Sequence, residues 1–182
     1  MATEIFFTSD THFNHQYMLN TRKQFTSLEE MNEQLIANWN SRVKRNDLVY
    51  HLGDFALGSV AEAVTISNRL NGQIYLVRGN HDRVAENKLC RNRFVWIKDL
   101  HRVKIDGQKI YLLHYAMRTW NCMHHGSWHL HGHSHGSLPE LDVKSFDVGV
   151  DCWNLFPVSY EEVATKMATK TFIPVDHHTG DE

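Results

Sequence analysis

Cysteine is scarce in this 182-residue chain, and its three cysteines do not cluster. Cys90, Cys122 and Cys152 are odd in number, lie far apart and form no C-x-x-C pair. That pattern excludes a disulfide framework and a thiolate zinc knuckle, and it reads as reduced thiols in the cytoplasm. An excess of charge of one sign is also missing: Lys and Arg number 19 against 21 Asp and Glu, a formal charge of -2. No overall field draws the chain to nucleic acid or membrane, although a local basic patch stays open. No apolar run approaches the roughly 20 residues of a membrane span, so no membrane partner is expected. The opening residues MATEIFFTSD carry no basic n-region, and no signal or transit peptide is expected. Repeats and low-complexity segments do not occur.

What is present is an ordinary globular composition, 42% hydrophobic and 22% charged, with one unusual entry: 14 histidines. The length suits a single domain over 1–182 that buries roughly 70% of its unfolded surface. EIFFTSD (4–10), DLVYHLGD (47–54) and QIYLVRGNHD (73–82) read as buried strands running into polar turns. Between them, Leu28, Met31, Leu35, Ile36 and Trp39 share one helical face behind Thr26 or Ser27 as cap, and Ser59 opens a second helix that Asn71-Gly72 ends. After residue 94 strands dominate: FVWIKDL, HRVKIDGQKIYLLH with an Asp106-Gly107 turn, WHLHGHSHG and SFDVGVD. Ser159 and Glu162 form a capping box for a last helix with Val163 and Met167 on its apolar stripe. The tail, 175–182, is polar and expected to be loose, with His177 and His178 solvated. The order implies an α/β layered fold around one core.

The polar clusters at the strand ends hold the chemistry. Three strands end in Asp10-Thr-His12, in Gly53-Asp54 and in Gly79-Asn80-His81-Asp82; His114 ends a fourth, and Gly132-His133-Ser134-His135 a fifth. Open α/β sheets place their sites at such carboxyl ends. Alone, each Asp is a turn former or cap, and His114 a hydrogen-bonded core histidine. In a strand, His133 and His135 would share a face and could point at one object. Together the clusters offer imidazole and carboxylate donors, which suit manganese, iron, nickel or zinc. More donors are present than one tetrahedral ion uses, and two ions sharing a carboxylate fit the count better.

In that order, Asp10-x-His12, Gly53-Asp54, Gly79-Asn80-His81-Asp82, His114 and Gly132-His133-Ser134-His135 resemble the five motifs of the calcineurin-like metallophosphoesterase superfamily. The match spans residues 10 to 135, and SDTHFNH and HYAMRTWNCMHHGSWHLHGHSHG resemble the small stand-alone phosphoesterases of bacteria and phages. The resemblance implies a four-layer α/β sandwich of two mixed sheets flanked by helices. It implies two divalent ions, one on Asp10, His12 and His135, the other on Asn80, His114 and His133, with Asp54 between them. It assigns His81 to the leaving group and Asp82 to the support of its loop. Leu57 and Asp82 stand where the superfamily's protein phosphatases carry an Asp and a Glu, which argues against phosphoprotein substrates.

The reaction expected is hydrolysis of phosphate esters by water activated between the ions and attacking in line. Diesters come first, among them nucleotides or nucleic-acid ends; monoesters are the alternative, and a non-catalytic binding protein a third reading. Asn14, His15, Arg118, His124 and His125 are candidates for substrate contact, each set against a solvated-loop reading. His129 and His131 read as packing behind the ligands, and Arg78 as one half of a structural ion pair. A monomer or small homo-oligomer is expected.

Overall fold

Short inner strands buried on both faces organise the chain. The structure, a computed structural model, describes residues 3–139 and 141–171. The expected loose tail with His177 and His178 lies outside the described residues. In chain order the elements are β1 (Ile5–Thr8), α1 (Leu28–Arg42), β2 (Leu48–His51), α2 (Val60–Arg69), β3 (Gln73–Val77), α3 (Lys88–Arg91), β4 (Phe94–Lys98), β5 (Leu100–Ile105), β6 (Gln108–Leu113), β7 (Trp128–His131), β8 (Ser145–Asp147), β9 (Val158–Ser159) and α4 (Tyr160–Thr169). One sheet runs β4-β3-β2-β1-β9, parallel except for β9; the other runs β5-β6-β7-β8, with β5 antiparallel to β6 and the rest parallel. Both sheets are mixed, and helices flank them, as expected.

Period-two alternation explains the layering. In β1, Phe6 faces α1 and α2 with Met31, Leu35, Trp39 and Ile66, while Phe7 faces the second sheet with Ile110, Leu112 and Leu130. In β3, Ile74 and Leu76 take the helical side and Val77 the sheet side. The α4 stripe, Val163 and Met167, closes the layer between the sheets. On the second sheet's outer face the covering layer is an irregular segment, in which Trp120 and Met123 pack on Tyr111 and Val143. The capping boxes Ser59–Glu62 and Ser159–Glu162 both form, and Ser27 caps α1. Arg78 pairs with Glu86 at 2.8 Å and Asp99 at 3.1 Å.

Strands β1, β2, β3, β6 and β7 all point the same way out of the sandwich, and every polar cluster falls just beyond their carboxyl ends. Three of these strands stop earlier than the sequence pattern implied: pairing ends at Thr8, His51 and His131. The reason is local backbone geometry. Asp10 (φ 57°), His12 (φ 49°), Asp54 (φ 57°), His133 (φ 68°) and His135 (φ 48°) all adopt left-handed conformations that no strand accommodates. His133 and His135 therefore reach one centre from a loop, and the in-strand alternation expected for them does not form.

Candidate metal centre

Left-handed backbone on non-glycine residues costs energy, and its concentration here marks a site whose side chains are aimed by the surrounding structure. The loops are zipped together past the strands: Asp10 N–H donates to Gly53 O, His12 N–H to Asp54 O and Phe13 N–H to Phe55 O, at 2.9 to 3.0 Å. Glycine permits the close approach. A Cβ on Gly53 (φ +96°) would lie 2.6 Å from Gly79 N and from His114 Nδ1, and one on Gly132 would collide with the Ser9 and Asp10 side chains.

Two groups of side chains converge, with one candidate ligand atom from each member within 4.8 Å of the others: Asp10, His12 and His135, and Asp54, His114 and His133. Asp54 Oδ2 lies 3.6 Å from His12 Nε2 and 3.5 Å from His114 Nε2, so a single oxygen faces both groups. Asn80 Oδ1 is 3.1 Å from His114 Nε2. Partners on the far side set the inward nitrogens. His114 Nδ1 donates to Leu52 O (2.7 Å), and His135 Nδ1 to Asp151 Oδ2 (2.6 Å), which leaves Nε2 of each for the centre. His12 Nδ1 lies 3.1 Å from His15 Nδ1.

The residues fit a cation. Asp10 is fully buried, and its Oδ1 has no hydrogen-bond partner, although it lies 3.9 Å from His12 Nε2 and 4.0 Å from His135 Nε2. An orphaned carboxylate oxygen facing two imidazoles is costly unless something positive sits there. Burial, helped by the charge of Asp147, outweighs the pull of His114, His135 and the Ser9 hydrogen bond and pushes the Asp10 carboxyl up to about 7. Burial also pushes the Asp54 carboxyl up, but the hydrogen bond and charge of His114, with the His81 amide, bring it down to about 2. Burial lowers His12 to about 3, so its ring is neutral and available as a donor.

Asp82 is 1% exposed and points into the loops, not the centre. It accepts from Gly79 N (2.7 Å), Asp54 N (2.9 Å) and Phe55 N (2.8 Å), and so ties two loops together. His81 lies on the rim. Its backbone N–H donates to Asp54 Oδ1 at 2.8 Å, and its ring is 5.6 Å from His12 and 5.5 Å from His15.

The other sequence candidates separate. His15 joins the rim. The Asn14 side chain turns to α1 and accepts from Asn32 Nδ2 at 2.6 Å. Arg118 is exposed on the segment leaving the site. His124 and His125 are not brought to the centre. They sit beyond the amino end of β7, where His125 lines a small cavity with Gly107 and Gln108, a β6 length or about 20 Å away. His129 is buried against Trp120 and accepts from Met117 N–H, and His131 is buried beside it.

Three residues escaped the sequence reading. Arg22, 2% exposed, forks onto both Asp151 oxygens at 2.8 Å and donates to Asp10 O (2.7 Å) and Thr11 O (2.9 Å). Asp151 thus links His135 to the loop that carries Asp10. Burial opposes the Asp151 charge, yet Arg22 and His135 hold the carboxyl well below its ordinary range. Tyr115 donates to Asn80 Oδ1 at 3.3 Å and packs on His114 and His133. Only its place directly after His114 could have signalled it.

The profile of the calcineurin-like phosphoesterase superfamily domain matches residues 4–169. The chain belongs to that superfamily. It is 34% identical over 167 residues to uncharacterized protein MJ1445 of Methanocaldococcus jannaschii, covering 87% of this chain and 88% of that one. The gene 66 protein of Mycobacterium phage L5 is 26% identical, with 86% and 90% covered. Among solved structures, the Aquifex aeolicus protein AQ665 superposes with a TM-score of 0.73 at 24% identity, covering 91% of this chain and all of that one, which shows the shared fold. An archaeal phosphodiesterase superposes with a TM-score of 0.50 at 25% identity, covering 81% and 84%. Superfamily membership makes this a phosphoesterase-type domain with metal-binding residue groups. Among the described residues no helix is long and apolar enough to cross a membrane.

Proposed function

We propose that the chain is a phosphodiesterase that works with two divalent ions, one held by Asp10, His12 and His135, the other by Asn80, His114 and His133, with Asp54 shared. One observation carries this reading: Asp54 Oδ2 faces an imidazole of each group at 3.5 to 3.6 Å. Three oxygen donors, Asp10, Asp54 and Asn80, favour manganese as first occupant, and the imidazoles also admit iron, nickel or zinc. When bound, the ions supply a nucleophile from water near neutral pH and offset charge on the phosphoryl oxygens.

The chain's own residues do the rest. His81, anchored by its amide on Asp54 and open to solvent, donates a proton or hydrogen bond to the leaving oxygen. Asp82 acts through the loops it ties. Asn80, being neutral, adds a donor without a further negative charge beside the phosphate. His15, next to His81, is placed to contact the ester, and Arg118 stays a candidate. Diesters stand first because the archaeal neighbour is described as a phosphodiesterase; nucleotides and nucleic-acid ends are the diesters of choice, and monoesters the alternative. Three free thiols support a cytoplasmic site of action.

The test is hydrolysis of bis(p-nitrophenyl) phosphate against p-nitrophenyl phosphate, on protein stripped of metal and refilled with manganese. Manganese-dependent diester cleavage is expected. His81→Ala should lose roughly 10²-fold on esters with poor leaving groups and less on p-nitrophenyl esters, which need little acid assistance. Preference for the monoester would replace the diesterase reading with a phosphatase. No turnover with both ions bound would refute both.

A further inference from the structure

An imidazole that serves a metal needs a partner behind it to fix its direction. His114 has Leu52 O, His135 has Asp151 and His12 has His15. His133 differs. Its backbone N–H donates to Asp10 Oδ2 at 2.9 Å, but among the described residues no hydrogen bond reaches its exposed ring. The ring rests on Tyr115 instead. The two meet edge to face, with centroids 4.6 Å apart and planes at 62°. His114 packs on both, 4.9 Å from Tyr115 and 5.1 Å from His133. These spacings lie in the favourable range for aromatic pairs.

Asn80, assigned above to the same ion, has a similar need, because its side chain is exposed and an amide can present either oxygen or nitrogen. Only the oxygen can serve a cation. His114 Nε2 lies 3.1 Å from Asn80 Oδ1, but in the neutral ring it is an acceptor, since Nδ1 donates to Leu52 O. The donor that holds the Asn80 oxygen is therefore the Tyr115 hydroxyl, at 3.3 Å, and a second lone pair stays open to the centre. Tyr115 is itself held by its backbone. Buried His129 on β7 donates to Tyr111 O and accepts from Met117 N–H, both at 3.0 Å, and so pins the chain on either side of Tyr115. The Tyr115 side chain is 45% exposed and carries little of the core.

We infer that Tyr115 is a positioning residue for the ion on Asn80, His114 and His133, its hydroxyl setting the Asn80 amide and its ring setting the His133 imidazole. This rests on the two-ion reading; His81 and the choice of ester lie outside it.

The test is calorimetric titration of the metal-stripped full chain with manganese, which reads both sites. Asn80→Ala marks which affinity belongs to this ion. Tyr115→Phe keeps the ring and loses the hydroxyl, and should weaken that same affinity by roughly fivefold, the range of one hydrogen bond. Tyr115→Ala loses both and should weaken it by roughly 10–100-fold. The other affinity and the melting temperature of the metal-free protein should keep their wild-type values; a merely structural role would move the melting temperature. Unchanged affinities in Tyr115→Ala, equal losses at both sites, or a loss confined to the other site overturn the inference. If the wild type binds a single ion, the two-ion reading fails first, and Tyr115 is judged on that ion. Losses in both Asn80→Ala and Tyr115→Phe then support its role, and any other pattern, or no binding at all, overturns it.

Discussion

Replacing Asp151 by Ala should weaken one metal site and spare the other. Asp151 stands between His135, at 2.6 Å, and the buried Arg22 fork, at 2.8 Å. The Arg22 side chain is 2% exposed and that of Asp151 20%, so solvent does little to replace the lost partner. Removing one member of a buried pair costs about 3–5 kcal/mol. Arg22 keeps the carbonyls of Asp10 and Thr11, which places the cost near the lower end, about 3 kcal/mol. For a chain of this length that lowers the melting temperature of the metal-free protein by ~6–12 °C. Without its partner the His135 ring loses its fixed tautomer and direction, and such losses weaken metal binding by roughly 10–100-fold. Asp151→Asn keeps an oxygen that can accept one of the two bonds, so it should fall between Ala and wild type. Calorimetric titration with manganese reads both sites, and thermal melting reads the protein. Two unchanged affinities, or equal losses at both sites, would refute the positioning of His135 through Asp151.

Three further outcomes follow from the same site. Asp10, pushed up to about 7 chiefly by burial, still holds a proton at pH values where the unfolded chain has lost it, so its own contribution to metal-free stability, read as the difference from Asp10→Asn, falls as pH rises from about 4 to 7 and is flat above, while the buried neutral rings of His12, His51 and His129 act in the opposite direction. Manganese needs the Asp10 carboxylate and the neutral rings of His114 and His135, whose charged forms the neighbouring carboxylates favour, so affinity should rise by at least about tenfold from pH 6 to pH 8 with proton release, seen by titration in buffers of different ionisation enthalpy; a pH-independent affinity would contradict this. Asp82→Ala leaves three buried amides without an acceptor and should cost about 3–6 kcal/mol, measured by urea unfolding. A variant that keeps its stability yet loses activity would place Asp82 in the chemistry instead.

How much was readable in advance depended on sequence distance. The apolar runs of β1, β2 and β3 carry their own pattern, and the clusters that follow them were legible because each motif is contiguous. The Arg22–Asp151 pair joins positions 129 apart, and neither residue sits in a motif, so only the folded chain reveals it. The left-handed backbone at His133 and His135 was hidden by an alternation that imitates a strand; Gly132, crowded by Ser9 and Asp10, is what ends β7 there. His124 and His125 looked near the site because they lie ten and eleven residues after His114, but their segment runs back along the sheet. Trp120, buried on Tyr111 and His129, holds it in that course.

The central claim is a paired metal centre bridged by Asp54, and the most direct measurement is manganese stoichiometry with electron paramagnetic resonance on the loaded protein. The account predicts two ions per chain, magnetically coupled, with the coupling abolished in Asp54→Ala. One ion per chain, or two ions without coupling in the wild type, would contradict it.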